Sequence, residues 1–116
     1  MIESTPRIIT GTFAFTGAGL QQPTALAGAP TYTVPADHRA QLIYLRAGNS
    51  ADALVTLVLL RDGKPMRLFP LGAKSGQHVP LSVIEDLFPE TVIEVQIAAP
   101  EGITGYVVLD MGLMEV

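Results

Sequence analysis

The chain has 116 residues and no cysteine, which suits one domain and excludes disulfides and cysteine-ligated metals. Its formal net charge is −4 and its seven basic residues are scattered, so it lacks the clustered Lys and Arg that bind nucleic-acid phosphates. No apolar run approaches the roughly 18 residues of a membrane-spanning helix, and residues 1–6 carry no signal-peptide pattern. We therefore expect neither nucleic acid nor a membrane as partner.

The composition also indicates contacts between subunits. Hydrophobic residues make up 48% of the chain and charged residues 16%, whereas about 25% charged is usual. A small monomer with so few charges has little polar material to cover its surface, so we expect part of its apolar surface to be buried against other subunits. The alternative is simply an apolar small domain.

The first thirty residues differ in character from the rest. Arg7 to Thr16 alternates as a strand does, with Ile9, Phe13 and Phe15 on one face. The stretch that follows is rich in Gly, Ala, Pro, Gln and Thr and has no periodicity, which indicates a loop or arm.

Two segments are therefore predicted: an N-terminal strand or arm with a flexible loop at 1–30, and a β-sandwich domain at 31–116. We expect Ile9, Phe13 and Phe15 to form a protein interface, because an apolar strand on a tether suits pairing with the sheet edge of a neighbouring subunit. An ordinary first strand of the same sandwich is an equal alternative.

The middle of the chain contains the strongest local signal. Residues 41–46 and 53–61 are runs of strand-forming residues, apolar on both faces, and Asp62-Gly63 follows the second run. An Asp-Gly pair between such runs predicts a two-residue hairpin turn, because both central residues of a type I′ turn need positive φ. A partner strand is expected at 66–69 and a short strand at 77–81.

One helix and two further strands are expected in the last third. Ser82 with Glu85 matches a capping box and Pro89 would end the segment, so 82–88 is predicted as one or two helical turns. Residues 90–98 alternate cleanly, with Ile93, Val95 and Ile97 inward, and 103–111 form a closing strand. The pattern predicts an all-β fold, an antiparallel β-sandwich or jelly roll of seven or eight short strands with at most one short helix.

No motif in the sequence predicts a chemistry. His38 and His78 lack the close spacing of paired metal ligands, and the acids Glu85, Asp86 and Glu90 match no calcium loop. Gly72-Ala73-Lys74-Ser75 lacks the glycines of a phosphate-binding loop, and no nucleophile elbow is present. We expect no catalytic, cofactor-binding or metal-binding residues, and no enzyme.

From Thr31 to Met114 the order of turns and strands resembles the small β-sandwich virion proteins of tailed bacteriophages. The matching segments are the opening Tyr32-Thr33-Val34-Pro35-Ala36, the turn Asn49-Ser50, the strand Ala53 to Leu59, the step Gly76 to Leu81, the strand Glu90 to Ile93 and the final strand Ile103 to Leu113. Asp37-His38 and Pro89-Glu90 depart from the pattern, and residues 1–30 lie outside it.

The resemblance implies a capsid decoration, or cement, protein that binds and stabilises an assembled head. It implies a homotrimer, the major capsid protein or other virion proteins as partners, and location in the virion after assembly in the host cytoplasm. A tail or head-tail connector component is the alternative within virions. A ligand- or carbohydrate-binding β-sandwich module is the alternative outside them.

Overall fold

The computed structural model describes residues 4–116, and it describes residues 82–85 by their backbone alone. The strands in chain order are β1 (Thr5–Thr16), β2 (Gly19–Ala25), β3 (Tyr32–Thr33), β4 (Ala40–Asn49), β5 (Val55–Arg61), β6 (Lys64–Leu71), β7 (Gly76–Leu87), β8 (Val92–Ala99) and β9 (Thr104–Glu115). The described part of the chain contains no helix, so the predicted all-β class is confirmed.

Two antiparallel sheets pack face to face. The front sheet has the strand order β1-β9-β4-β7, and the back sheet has the order β2-β8-β5-β6, with the short β3 also pairing with β8. Because the chain crosses repeatedly from one sheet to the other, sequence neighbours β1 and β2, or β4 and β5, lie in opposite sheets. This is the eight-stranded jelly roll, with β3 as an addition.

The core lies between the sheets and takes alternate residues from strands such as β1, β8 and β9. Ile93, Val95 and Ile97 of β8 are buried as the alternation predicted, while Glu94 between them is exposed. In β4, which was predicted to be apolar on both faces, only the inner face is buried and Ile43 is exposed. An extra residue there disturbs the register with β9 between Leu42 and Tyr44. Leu42 and Leu45 are consequently both buried.

The predicted hairpin is confirmed. Asp62 and Gly63 have φ values of 51° and 80°, and Arg61 pairs with Lys64 across the turn. The Asp62 carboxylate also accepts a hydrogen bond of 2.9 Å from the backbone N–H of Val92, which joins the turn to the start of β8.

The helix predicted at 82–88 is wrong, because β7 continues to Leu87. Leu87, Asp86 and Glu85 pair with Ala40, Gln41 and Leu42 of β4. A capping box stabilises a helix end by only about 1 kcal/mol, whereas the strand gains a ladder with β4 and buries Leu87 completely. The local signal is therefore outweighed by long-range pairing.

The flexible loop predicted within residues 17–30 is also wrong, because Gly19–Ala25 forms β2 on the edge of the back sheet. Its side chains are almost all exposed and its register with β8 shifts between Gly19 and Thr24, so no hydrophobic alternation marks it. Leu26, directly after β2, is buried in the core. In the single chain, residues 5–26 thus belong to the same sandwich as 31–116.

Candidate docking face

The three apolar side chains predicted as an arm interface lie on the inner face of β1. Ile9 and Phe15 are buried, and Phe13 is partly buried against the same core. The strand pairs with β9 at every position from Thr5 to Thr16. In the single chain these side chains complete their own core, which was the equal alternative.

The outer face of the front sheet carries a different feature, a shallow trough. Gly48 of β4 lies between Val108 of β9 and Gly76 of β7 in the ladder, so two neighbouring positions have no side chain. The trough above them has a volume of about 520 Å³ and is bounded by Arg46, His78 and Asp110. It continues towards Lys74 and Tyr106 in a second depression of about 320 Å³.

A hydrogen-bonded polar cluster closes one end of the trough. Asp110 accepts hydrogen bonds from the Tyr44 hydroxyl at 2.9 Å and from the Arg46 guanidinium at 2.8 Å. The Tyr44 ring also meets the His78 ring edge-on at 5.8 Å between centroids. The hydrogen bond to Asp110 raises the pKa of the Tyr44 hydroxyl above its ordinary value, so this cluster keeps a neutral phenol beside an ion pair.

Tyr44 has its place because β9 has a glycine opposite it. A Cβ atom at Gly112 would lie 2.2 Å from the Tyr44 ring, so the ring packs directly on the backbone of β9. Any larger residue at 112 would displace Tyr44 and with it a donor to Asp110.

Exposed apolar side chains surround the cluster and the trough. Ile8, Tyr106 and Val108 are 64%, 57% and 54% exposed, and all three lie on the outer face of the front sheet. Tyr106 is fixed by its backbone, because its N–H donates to the Ser50 hydroxyl at 2.7 Å and its carbonyl accepts from the Ser50 N–H at 3.0 Å. The face is therefore weakly charged, apolar and locally concave.

Tyr32 and Asn49, which lie in the segments that resemble virion proteins, have structural roles. Tyr32, from the back sheet, donates a 2.6 Å hydrogen bond to Glu115 of the front sheet, which also bonds to Arg7 of β1 at 3.1 Å. The hydrogen bond from Tyr32 is the main cause that lowers the pKa of Glu115. Burial acts in the opposite direction, and the hydrogen bond from Arg7 lowers the pKa further. Burial, followed by the hydrogen bond to Glu115, raises the pKa of Tyr32 well above its ordinary range.

Asn49 serves the turn after β4. Its amide donates to the carbonyls of Ala53 at 2.9 Å and Gly72 at 3.1 Å, and its side-chain oxygen accepts from the Ala51 N–H at 2.9 Å. The side chain is buried and thereby joins β4 to the loops on either side of the β5–β6 hairpin.

Within the described residues no group of three or more His, Asp or Glu side chains could hold a metal ion. His38 pairs with its neighbour Asp37 at 2.7 Å, and this hydrogen bond lowers the pKa of Asp37. Asp86 forms an ion pair with Arg39. Residues 4–116 also form no helix long and apolar enough to cross a membrane.

The trough was not predicted from the sequence. Its two glycines are 28 positions apart, and only the pairing register of β4 with β7 makes them neighbours. Lys74, dismissed as part of a false phosphate loop, borders it. The exposed Tyr106 and Val108 in the closing strand were the available signal, since 103–111 has apolar residues on both faces.

Comparison with known proteins shows the fold. No protein-family model matches the chain, and no curated protein matches it. Among solved structures, the CBM36-1 domain of a multidomain xylanase from the hindgut metagenome of Trinervitermes trinervoides is similar over 97% of both chains, with a TM-score of 0.55 and 14% identity.

Parts of two larger proteins are also similar. The infectious bursal disease virus Gx strain structure matches with a TM-score of 0.53 and 12% identity, over 97% of this chain and 32% of that one. The delta-endotoxin Cry8Ea1 of Bacillus thuringiensis matches with a TM-score of 0.52 and 10% identity, over 90% of this chain and 19% of that one. The chain thus has a β-sandwich fold that occurs both as a carbohydrate-binding module and in a virus.

Proposed function

We propose that the protein is a virion structural protein of the capsid decoration type, which binds an assembled head shell and stabilises it. The observation that carries this proposal is the outer face of the front sheet, where Ile8, Tyr106 and Val108 are exposed around the ion pair Arg46–Asp110. Weakly charged apolar patches of this kind are typical of protein interaction sites. The similarity to an infectious bursal disease virus structure supports this proposal, because it shows that the fold occurs in a virus.

The proposed work is thermodynamic and involves no catalysis. A protein that binds only the assembled shell stabilises it by mass action, by about 2.7 kcal/mol per site at a hundredfold excess over Kd. The major capsid protein or another virion protein is the proposed partner, and the virion is the proposed location. Binding as a homo-oligomer would multiply the contacts.

Mass spectrometry of purified particles tests this function directly. A copy number comparable with that of the major shell protein supports decoration. A small fraction of that number indicates a tail or connector component, and absence from the particles removes both virion functions.

A carbohydrate-binding module is the second candidate, and the trough is the observation that favours it. The trough combines an exposed aromatic ring, Tyr106, with hydrogen-bonding groups on Arg46, His78 and Asp110. This mixture suits a sugar, which presents both apolar ring faces and hydroxyl groups. The CBM36-1 domain, with similar overall length, shows that the fold serves in such a module.

Titration calorimetry against a panel of soluble oligosaccharides tests this second function. Binding that is lost in Tyr106→Ala and retained in Leu68→Ala, on the other sheet, would support it. The absence of heat for every sugar at millimolar concentration would remove it.

A further inference from the structure

Among residues 4–116, and apart from the two-residue β3, the two sheets have four strand edges without a neighbour, formed by β1 and β7 in the front sheet and by β2 and β6 in the back sheet. A free edge presents backbone N–H and C=O groups to other chains, and proteins usually protect such edges with charges, prolines, bulges or short strands. Comparing the four edges shows which of them is open to a partner.

Three of the four edges carry these protections. β6 includes Lys64, Pro65 and Pro70 and has an irregular register with β5. β7 includes Pro80, and its register with β4 shifts between Pro80 and Glu85. β2 includes Pro23 and pairs with β8 through a shifted register.

The edge of β1 carries none of them over most of its length. From Ile8 to Thr16 it has no charged residue and no proline, and its register with β9 is unbroken. This stretch is about 30 Å long at roughly 3.4 Å per residue. Among the described residues, no backbone hydrogen bond joins β1 to any segment except β9, so alternate residues direct their N–H and C=O groups to the free side.

We propose that the free edge of β1 pairs antiparallel with β1 of a second copy across a two-fold axis, which joins two front sheets into one eight-stranded sheet. A two-fold contact uses the same surface on both copies, whereas a ring needs two different complementary surfaces. The chain offers one unprotected edge among its described strands, so edge pairing fits the two-fold contact.

The charge distribution favours the antiparallel direction. Arg7 is the only charged residue of β1 and lies near its beginning. Antiparallel pairing places the two Arg7 side chains at opposite ends of the new ladder, whereas parallel pairing in register would place them side by side. On the outer face, a register centred on Gly11 sets Thr10 opposite the partner's Thr12, and cross-strand threonine pairs are favourable.

A cysteine scan distinguishes the possible arrangements, because the natural chain has no cysteine. The single variants Ile8→Cys, Thr10→Cys, Thr12→Cys and Ala14→Cys each place a thiol on the exposed outer face of β1. In an antiparallel two-fold pair a position meets its own copy only near the axis, and a disulfide needs Cα atoms within about 7 Å. Because Thr10 faces the partner's Thr12 in the register centred on Gly11, we expect oxidised dimer when Thr10→Cys and Thr12→Cys are mixed, and at least about tenfold less with Ile8→Cys or Ala14→Cys alone, whose own copies lie far from the axis. Cross-linking of that mixture no greater than that of Ile8→Cys or Ala14→Cys alone, or none above that of Thr24→Cys on β2, would overturn the proposal.

Light scattering provides the independent measurement. The wild-type chain should have about twice the monomer mass of 12.3 kDa at micromolar concentration. Thr12→Lys places two like charges close to the axis and should raise the dimer Kd at least about tenfold, whereas the matched variant Thr24→Lys should leave it unchanged. A wild-type monomer or trimer, or a Thr12→Lys dimer as tight as wild type, contradicts edge pairing. Incorporation into particles is measured separately, so this proposal and the proposed function can fail independently.

Discussion

Individual polar side chains hold the two sheets together at defined points. Glu115 accepts hydrogen bonds from Tyr32 and Arg7 where β3 of the back sheet meets β1 and β9 of the front sheet. Asn49 joins the end of β4 to the turns around the β5–β6 hairpin. Among the described residues no buried side-chain nitrogen or oxygen lacks a hydrogen-bond partner. Buried polar groups of this kind stabilise a fold only while they are satisfied, so each is a sensitive site for mutation.

Replacing Asn49 by alanine should destabilise the fold by about 2–3 kcal/mol, since an unsatisfied buried group costs about 1–3 kcal/mol. The substitution leaves the Ala51 N–H and the Ala53 carbonyl without this partner, and the Gly72 carbonyl keeps only its bonds from Ser75. Urea unfolding measures the change. Asn49→Asp is the informative control, because it has nearly the same size but cannot donate to the two carbonyls and should also be destabilising. An Asn49→Asp variant as stable as wild type would show that only the volume of the side chain matters.

The Tyr32–Glu115 pair should set the pH range of stability. Because the folded state lowers the pKa of Glu115 below its ordinary value of 4.5, its contribution is present above that pH and is lost as pH falls through the folded pKa. The raised pKa of Tyr32 has the opposite sign, so its contribution is present below pH 10.0 and is lost as pH rises beyond it.

In Tyr32→Phe the main cause that lowers the pKa of Glu115 is removed. We therefore expect this variant to be less stable than wild type at neutral pH, to lose less further stability as the pH falls into the acid range, and to lose less stability above pH 10. Thermal melting between about pH 3 and pH 11, compared with Tyr106→Phe as a control, measures both effects. Superimposable pH profiles for Tyr32→Phe and wild type would contradict the role given to this pair.

At the scale of strands, sequence patterns succeeded where one face of a strand is buried and failed where long-range pairing decides. The alternation in β8 and the Asp62-Gly63 turn predicted their structures correctly, because both signals are local. β2 is exposed along nearly its whole length and has no hydrophobic alternation to detect. The strand end at 85–87 follows its partner β4 rather than its own capping box. The trough depends on which residues of β4 and β7 face each other, and a sequence pattern does not specify that register.

Deleting residues 1–20 should abolish cooperative folding. The deletion removes β1, which pairs with β9 at every position, and with it the buried Ile9 and Phe15. Burial of such a side chain contributes about 1.5–3 kcal/mol, so the loss of two is a large part of the 5–15 kcal/mol typical of a domain. Circular dichroism with thermal melting measures the result, and deletion of residues 1–4, which ends just before β1, is the control. A truncated chain with near-normal melting but weakened assembly would restore the arm prediction.

At the scale of the whole molecule, the sandwich has two different outer faces. The front face carries the trough with Tyr106 and Val108 beside it, and β1 forms one of its edges. The back face exposes Leu68, which is 63% exposed, but Val58 and Leu60 of the adjacent β5 are buried there. The exposed apolar side chains beside the trough therefore make the front face the better candidate for a docking surface. Under the proposed function, the front face is the one that would meet the shell, which leaves the free edge of β1 available to a second copy.

Introducing charge on the front face should therefore weaken shell binding without unfolding the protein. Val108→Lys and Tyr106→Lys replace exposed side chains, and a buried unpaired charge at an interface costs several kcal/mol. We expect at least about a tenfold loss of affinity for purified shells, since each 1.4 kcal/mol corresponds to tenfold. Co-sedimentation with particles measures binding, and melting temperature verifies the fold. Leu68→Lys is the matched control, because it adds the same charge at an equally exposed apolar position on the back face. If Leu68→Lys impairs co-sedimentation while the two front-face variants bind normally, the docking face has been assigned to the wrong sheet.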